Sequence, residues 1–165
     1  MTKNILLSTL GIIILAGGVW YVMSMKSSLP VPSLAYTNTE YGFHFSLPDG
    51  WKDYSIVTDT WKGYAVDSGG EILAEQGPLI SIRHPQWTKE VPRQDIPIMI
   101  FTLAQWDALQ QGKFNVGAAP IGPRELDRNK LYVFALPARY NFAFPIGYEE
   151  ADTILKGTPL KAFYR

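Results

Sequence analysis

The chain has no cysteine among its 165 residues and only two histidines. The first absence excludes disulfides, thiolate metal sites, cysteine nucleophiles and a lipid anchor on a lipobox cysteine. His44 and His84 are far apart in sequence, and neither belongs to a metal-binding spacing such as His-x-x-x-His. Walker and dinucleotide-binding glycine motifs are also missing. We therefore predict no cofactor, no metal site and no catalytic residues.

An excess of charge of one sign is missing as well. The 15 basic and 15 acidic residues cancel, and without Lys3 and Lys26 a net charge of −2 remains. Phosphate-backbone binding needs a field of lysine and arginine, so we expect no nucleic-acid partner. What the chain does have is apolar surface. Its residues are 47% hydrophobic and 13% aromatic, which is enough for a core and too much for disorder.

A long apolar run occupies residues 5–23, and no charged residue occurs between residues 4 and 25. Its nineteen residues would form a helix about 28 Å long, which matches the hydrocarbon thickness of a bilayer. Trp20 and Tyr21 stand near one end, where amphipathic rings favour the headgroup region. We predict a transmembrane signal anchor at residues 1–26, a Pro/Ser linker at residues 27–35 and one globular domain at residues 36–165.

The processing and orientation of this segment have alternatives. A cleaved signal peptide is the competing interpretation, with Ala16, Gly17 and Gly18 as its small residues. Cleavage there would leave a hydrophobic new N-terminus, which favours the uncleaved anchor. Positive residues nearly balance across the run, so orientation depends on the short N-terminal tail, which is typical of a cytoplasmic N-terminus. The chain is then a single-pass membrane protein with an extracytoplasmic domain.

Alternating apolar residues predict strands in the domain. Phe43, Phe45 and Leu47 have the two-residue period of a half-buried strand. A turn at residues 48–50 then predicts a hairpin whose second strand covers residues 51–57. Further strands are predicted at residues 61–66, 79–83, 96–101 and 131–136. Pro97 places the strand at 96–101 near a sheet edge, whereas the strand at 131–136 is apolar on both faces and therefore central.

Two helices are predicted in the second half of the domain. Thr102 and Gln105 form a capping-box pattern before a short helix that turns Trp106 to the core and stops at Gly112. The last helix covers residues 148–156, with two acids in its first turn and a glycine as its stop. No strand–helix–strand rhythm occurs. The predicted fold class is therefore α+β, an antiparallel sheet with helices packed on it.

Two loop segments are candidates for a ligand site. The first combines a cation, an imidazole and an aromatic ring after a predicted strand, and the second places an arginine beside aromatic residues after the central strand. An arginine next to aromatic rings can bind an anion or a peptide carboxylate. The candidate residues are Arg83, His84, Trp87, Arg139 and Tyr140.

Each of these signals also has a structural interpretation. His84 precedes a proline and is typical of a loop residue. Arg139 is positively charged and can pair with Glu149 or Glu150, which would fasten the last helix to the sheet. The string DSGG at residues 67–70 echoes the nucleophile segment of trypsin-like proteases. That chemistry needs a histidine base and a much larger double barrel, so the string is interpreted as a polar turn.

The segment YGFHFSLPDGW at residues 41–51 resembles the N-terminal motif of PsbP-like domains, in which a Tyr-Gly-Phe-x-Phe strand runs into a Pro-x-Gly-Trp turn. The resemblance implies an α/β/α sandwich around an antiparallel sheet and a non-enzymatic role. Photosynthetic members of that family assist photosystem II assembly or ion retention. The motif is structural and transfers no functional residues. Residues 94–98 and 136–143 also resemble uncharacterised bacterial membrane-anchored proteins.

These observations predict a non-catalytic, membrane-tethered extracytoplasmic domain that binds a protein, a peptide or an envelope component, or that assists assembly. One alternative is a small envelope hydrolase that uses carboxylates or His84, which requires an acid within hydrogen-bond reach of that histidine. The other alternative is a structural subunit of a membrane complex, recognisable by a large exposed apolar patch.

Overall fold

The computed structural model describes residues 34–66, 72–117 and 121–164. Within them the chain forms two antiparallel sheets and two helices, so the fold class is α+β, as the sequence predicted. The predicted anchor, most of the linker and the DSGG string lie outside these residues. None of the helices in the described ranges is both long and apolar enough to cross a bilayer.

The smaller sheet has three strands in the order β1–β2–β9, and both neighbouring pairs are antiparallel. Alternate residues of β2 are buried, as the period of its sequence predicted. β1 starts two residues before Tyr36, where the folded domain was predicted to begin. The strands are β1 (Leu34–Asn38), β2 (Phe43–Leu47) and β9 (Leu160–Ala162).

The larger sheet has six strands in the order β6–β3–β4–β5–β8–β7, again antiparallel throughout. The segments predicted as separate strands at residues 61–66 and 79–83 are the ends of two long strands, β3 and β4. The strands are β3 (Ser55–Ala65), β4 (Leu73–Arg83), β5 (Ile96–Thr102), β6 (Phe114–Val116), β7 (Arg124–Arg128) and β8 (Tyr132–Leu136).

The hairpin predicted after residue 47 is wrong. Asp49–Trp51 forms a 3-10 turn, and β2 and β3 belong to different sheets. Trp51 is only 1% exposed, and its Nε1 donates a hydrogen bond to Glu150 Oε1 at 3.0 Å. Because this indole is fastened between the turn and the last helix, the chain leaves the smaller sheet at Trp51 instead of folding back on it.

The edge position predicted for the strand at 96–101 is also wrong, because β5 lies inside the sheet between β4 and β8. Pro97 pairs with Ser81 of β4, and the ladder with β8 begins only at Met99. Pro97 therefore stands where β5 has a neighbour on one side only. At that point β5 is locally an edge, the position in which a residue without a backbone donor is tolerated.

Both helices are confirmed. α1 (Leu103–Gln110) has the predicted capping box, in which Thr102 Oγ1 accepts from the Gln105 amide at 3.2 Å and Gln105 Oε1 accepts from the Thr102 amide at 3.0 Å. α2 (Tyr148–Lys156) starts with two glutamates and ends with a lysine, which complements its dipole.

Alternate residues of the larger sheet face two separate apolar clusters, which places the helices on opposite faces. Ile98 and Ile100 pack in one cluster with the buried side of α2 and with the smaller sheet. Met99 and Phe101 pack in the other cluster with Trp106 of α1. The residues of β8 divide between the same two clusters, so its predicted burial on both faces is confirmed.

Candidate functional site

Arg83 and Trp87 form a closed structural unit at the end of β4. The Arg83 guanidinium donates to both carboxylate oxygens of Asp95, with Nη2 2.7 Å from Oδ2, and its central carbon lies 3.9 Å from the centre of the Trp87 ring. The bond to Asp95 raises the pKa of Arg83. The guanidinium of Arg83 is thus already paired within the domain, and this pairing holds the loop at residues 84–95 against the sheet.

His84 lies in the loop directly after β4, as the sequence predicted, but it is buried, with 5% of its surface exposed. Its ring meets the edge of Trp51 at 4.9 Å, and its Nδ1 accepts from the Gln86 amide at 3.1 Å. Burial lowers the pKa of His84, and the charge of Arg93 lowers it further. Among the bonds of the described residues, none joins His84 to a carboxylate. The described residues thus do not show the hydrogen bond from His84 to an acid that the hydrolase alternative requires.

Tyr140 belongs to the α2 side of the sheet. Its hydroxyl lies 3.4 Å from Asp152 Oδ1, and its carbonyl accepts from Gln94 Nε2 at 3.2 Å. Burial, followed by the charge of Asp152, raises the pKa of Tyr140. Its contacts connect α2 to the loop that precedes β5, which is a structural role.

The ion pair predicted between Arg139 and Glu149 or Glu150 is wrong. Glu150 instead accepts a hydrogen bond from Trp51 Nε1 and pairs with Arg93 Nη2 at 3.4 Å. Arg93 lies in the loop before β5, and this loop contacts the start of α2 where Arg139 was expected to bind. Arg139 is exposed and has a left-handed backbone with φ 54°. Within the described part of the chain it has no ion pair. It borders a groove instead.

This groove, which we call the α1-side groove, has a volume of about 410 Å³. That size lies in the range of small-ligand and peptide side-chain pockets. Its buried floor includes Trp61 and Met99, which are 4% and 2% exposed, and its open border includes Phe142, which is 76% exposed. The lining residues are Trp61, Lys62, Leu79, Met99, Val116, Gly117, Pro123, Pro137, Ala138, Arg139 and Phe142.

Trp61 is held rigidly in this floor. Its Nε1 donates to the Ile100 carbonyl at 2.8 Å, and its ring stacks on Phe101 with centroids 4.3 Å apart. Gly77 stands directly opposite Trp61 on β4, and the absence of a side chain there leaves room for the indole. The floor is therefore preformed, because the ring has a fixed hydrogen bond and a fixed neighbour.

The charge of the groove is positive. Of its described lining residues, Lys62 and Arg139 are cations and none is an acid. Lys62, like Arg139, has no ion pair among the residues that the structure describes. An apolar floor beside two available cations can bind an apolar group that carries a negative charge.

A second cavity, of about 640 Å³, lies between the end of β2 and α2. Its charged lining residues are Glu149 and Glu150, and both carboxylates are already used. Glu150 binds Trp51 and Arg93, and Glu149 accepts from the Tyr148 hydroxyl at 3.1 Å. Nowhere in the described ranges do three acidic or histidine side chains come close enough to hold a metal ion.

The structure thus divides the sequence candidates among three places. Arg83, His84 and Trp87 stay together, Tyr140 packs toward α2, and Arg139 alone borders the α1-side groove. Sequence reasoning missed the rest of the lining, including Trp61 and Lys62. The signal that could have found it is the pairing of a tryptophan with a glycine on the next strand, which requires knowledge of the register.

Comparison with protein-family models, curated proteins and solved structures finds no match.

Proposed function

We propose that the protein is a non-catalytic binding domain, held at the extracytoplasmic surface of a membrane by its N-terminal apolar segment. Its binding site is the α1-side groove, and its ligand is an apolar peptide segment that ends in a carboxylate. The observation that carries this proposal is the combination of a rigid apolar floor with Lys62 and Arg139, with no acid among the lining residues that the structure describes. The apolar run at residues 5–23 supports the tether.

The position of the groove favours a peptide as the ligand. β6 is an edge strand of the larger sheet, and its last residue, Val116, belongs to the lining. An edge strand offers unpaired backbone groups that can pair with an extended peptide. The guanidinium of Arg139 can bind a terminal carboxylate through two parallel hydrogen bonds.

We also propose that the domain is an α/β/α sandwich of the PsbP-like type. The motif at residues 41–51 supports this assignment, as do the antiparallel sheet and the contacts of α1 and α2 with its opposite faces. A binding or assembly role fits such a domain better than an alternative hydrolase that uses His84, since no hydrogen bond of the described residues joins this buried imidazole to a carboxylate.

Peptide binding by the full-length protein in lipid nanodiscs tests the site. The probe is the tripeptide Phe-Leu-Phe with a fluorescent N-terminal group, prepared as the free acid and as the C-terminal amide, and binding is measured by fluorescence anisotropy. We expect the acid to bind about tenfold more tightly than the amide, the effect of one charge-assisted pair. Arg139→Gln should reduce the affinity for the acid to that for the amide.

Arg124→Gln is the matched control, because Arg124 is an exposed arginine on β7 outside the groove. Equal affinity for acid and amide, or an equal loss in both variants, would show that the groove is not a carboxylate site. Recovery of intact peptide after incubation supports a non-catalytic role, whereas cleavage contradicts it.

A further inference from the structure

An exposed apolar surface lies at one end of the domain, in the loop between β8 and α2. Phe144 and Ile146 are 69% and 54% exposed, although each side chain is large and apolar. We call these two residues, with Phe142, the apolar loop. Ala143, between the two phenylalanines, is also exposed, so residues 142–144 all face solvent.

The backbone of this loop holds the side chains outward. Ala143 and Phe144 have φ of 70° and 48°, in the left-handed region that residues with a side chain rarely adopt. The Phe144 amide donates to the Asn141 carbonyl at 3.0 Å, and its ring meets Tyr148 at the start of α2. Ile146 forms a bridge with Arg93, and its carbonyl accepts from the Gln94 amide at 2.8 Å. Unusual backbone that neighbouring contacts hold in place is typical of functional sites.

The first described residue of the chain lies at the same end of the domain. Leu34 pairs with Leu47, the last residue of β2, and the turn that follows β2 is bonded to the first turn of α2 through Trp51 and Glu150. The apolar loop leads directly into that turn. The chain therefore enters the folded domain at the end that carries the apolar loop.

The length of chain before Leu34 limits how far this end can move from a membrane. Ten residues, 24–33, separate the apolar run from β1, and at full extension they span at most about 35 Å. A tether of this length keeps the apolar loop at a high effective concentration near the bilayer surface, so that even a weak contact becomes populated. Phenylalanine and isoleucine side chains enter the interface of a bilayer through their apolar surface.

We propose that the apolar loop inserts into the surface of the membrane that holds the protein, and that this contact orients the domain. The inference rests on the proposed tether. We propose lipid as the surface that the apolar loop contacts, because the chain enters the domain at the same end. The linker is short enough to keep the exposed apolar side chains close to the bilayer.

The absence of cysteine makes a direct test simple, because one introduced cysteine is the only labelling site. Phe144→Cys and Ile146→Cys, each in the full-length protein, are labelled with the fluorophore NBD and reconstituted into vesicles of phosphatidylethanolamine and phosphatidylglycerol. Nitroxide-bearing lipids are then added as quenchers. Leu131→Cys is the matched control, since Leu131 is 59% exposed and lies at the opposite end of the domain, beside Tyr41.

We expect a blue-shifted emission and at least several-fold stronger lipid quenching at positions 144 and 146 than at position 131. Equal quenching at all three positions, in protein that floats with the vesicles after a carbonate wash, would overturn the inference and leave the tether standing. Protein that does not float would overturn both. A blue shift without lipid quenching would show that a protein surface covers the loop, and would also overturn the inference.

Discussion

At the scale of single residues, burial decides what the titratable side chains can do. His84 has an imidazole that the sequence offered as a candidate ligand or base. It is buried against Trp51 and the loop backbone, and burial together with the charge of Arg93 outweighs the opposing charge of Glu150 and lowers its pKa. In such an environment the charged imidazole is unfavourable, and the neutral ring acts as a hydrogen-bond acceptor. The residue therefore contributes to stability in a way that depends on pH.

His84 should weaken the fold in mild acid. Because the pKa of His84 is lowered in the folded state, the unfolded chain binds the proton more tightly, and the free energy of unfolding falls as the pH drops below about 6.5. His84→Asn keeps an acceptor for the Gln86 amide and removes the titrating group, so the free energy of unfolding should change less between pH 7 and pH 5. Urea denaturation at each pH, followed by tryptophan fluorescence, measures this free energy. His44→Asn is the control, and an equal flattening in that variant would refute the assignment.

At the scale of elements, the long strands β3 and β4 form the floor of the α1-side groove by pairing large residues with glycines. Trp61 faces Gly77 across the two strands, and Phe114 of β6 covers Gly63 on β3. A glycine within a strand costs backbone entropy, and it is retained where a ring must lie against the backbone. The position of the Trp61 ring in the floor therefore depends on Gly77.

Gly77→Ala should destabilise the domain by about 1–3 kcal/mol, the usual effect of overpacking a fixed core. A methyl group at Gly77 would lie 2.7 Å from atoms of the Trp61 ring, and that ring cannot retreat because it is bonded to Ile100 and stacked on Phe101. The urea midpoint measures the loss. Gly122→Ala, at a glycine with nothing within 4 Å, should leave the midpoint unchanged. Equal midpoints for the two variants would mean that the indole is free to move.

At the scale of the whole molecule, the turn between β7 and β8 ties the two sheets together. Asn129 donates from Nδ2 to the carbonyls of Tyr41 and Gly42, at 2.9 Å and 3.2 Å, beside the hairpin of the smaller sheet. Its Oδ1 accepts from the amides of Leu131 and Tyr132, both at 2.9 Å, in the larger sheet. One side chain thus satisfies polar backbone groups of both sheets.

Asn129→Ala should lower the free energy of unfolding by about 2 kcal/mol, because carbonyls and amides of both sheets lose their partner together. Thermal unfolding measured by circular dichroism detects the loss. Asn115→Ala is the control, since Asn115 is exposed on the edge strand β6. Asn129→Asp keeps the acceptor and loses the donor, so its stability should fall between those of wild type and Asn129→Ala. A wild-type melting curve for Asn129→Ala would show that this side chain does not help to hold the two sheets together.

Local patterns were sufficient to predict both helices and the buried alternation of β2. The capping box of α1 and the acidic first turn of α2 lie within one turn of each helix, so neighbouring residues specify them. Strand pairing was not predictable in the same way. A turn motif at residues 48–50 indicated a hairpin, but the burial of Trp51 against a residue 99 positions away sends the chain to another sheet.

The candidate site shows the same division. Arg139 was predicted as a candidate, and it does border the α1-side groove. Its expected ion pair was wrong because Arg93, from another loop, occupies Glu150. Trp61 and Lys62 could not be found from sequence, because their place in the site depends on how β3 pairs with β4 and on what packs beside them.

By itself the sequence determined the neutral charge, the absence of thiol chemistry, the apolar run at residues 5–23 and the two helices. These properties depend on composition or on residues within a few positions of each other. The tertiary structure alone decided which strands are neighbours, that His84 is buried, that Arg83 is occupied by Asp95, and that Arg139 and Lys62 face one groove. The physical reason is that burial and ion pairing are set by contacts between residues far apart in the chain.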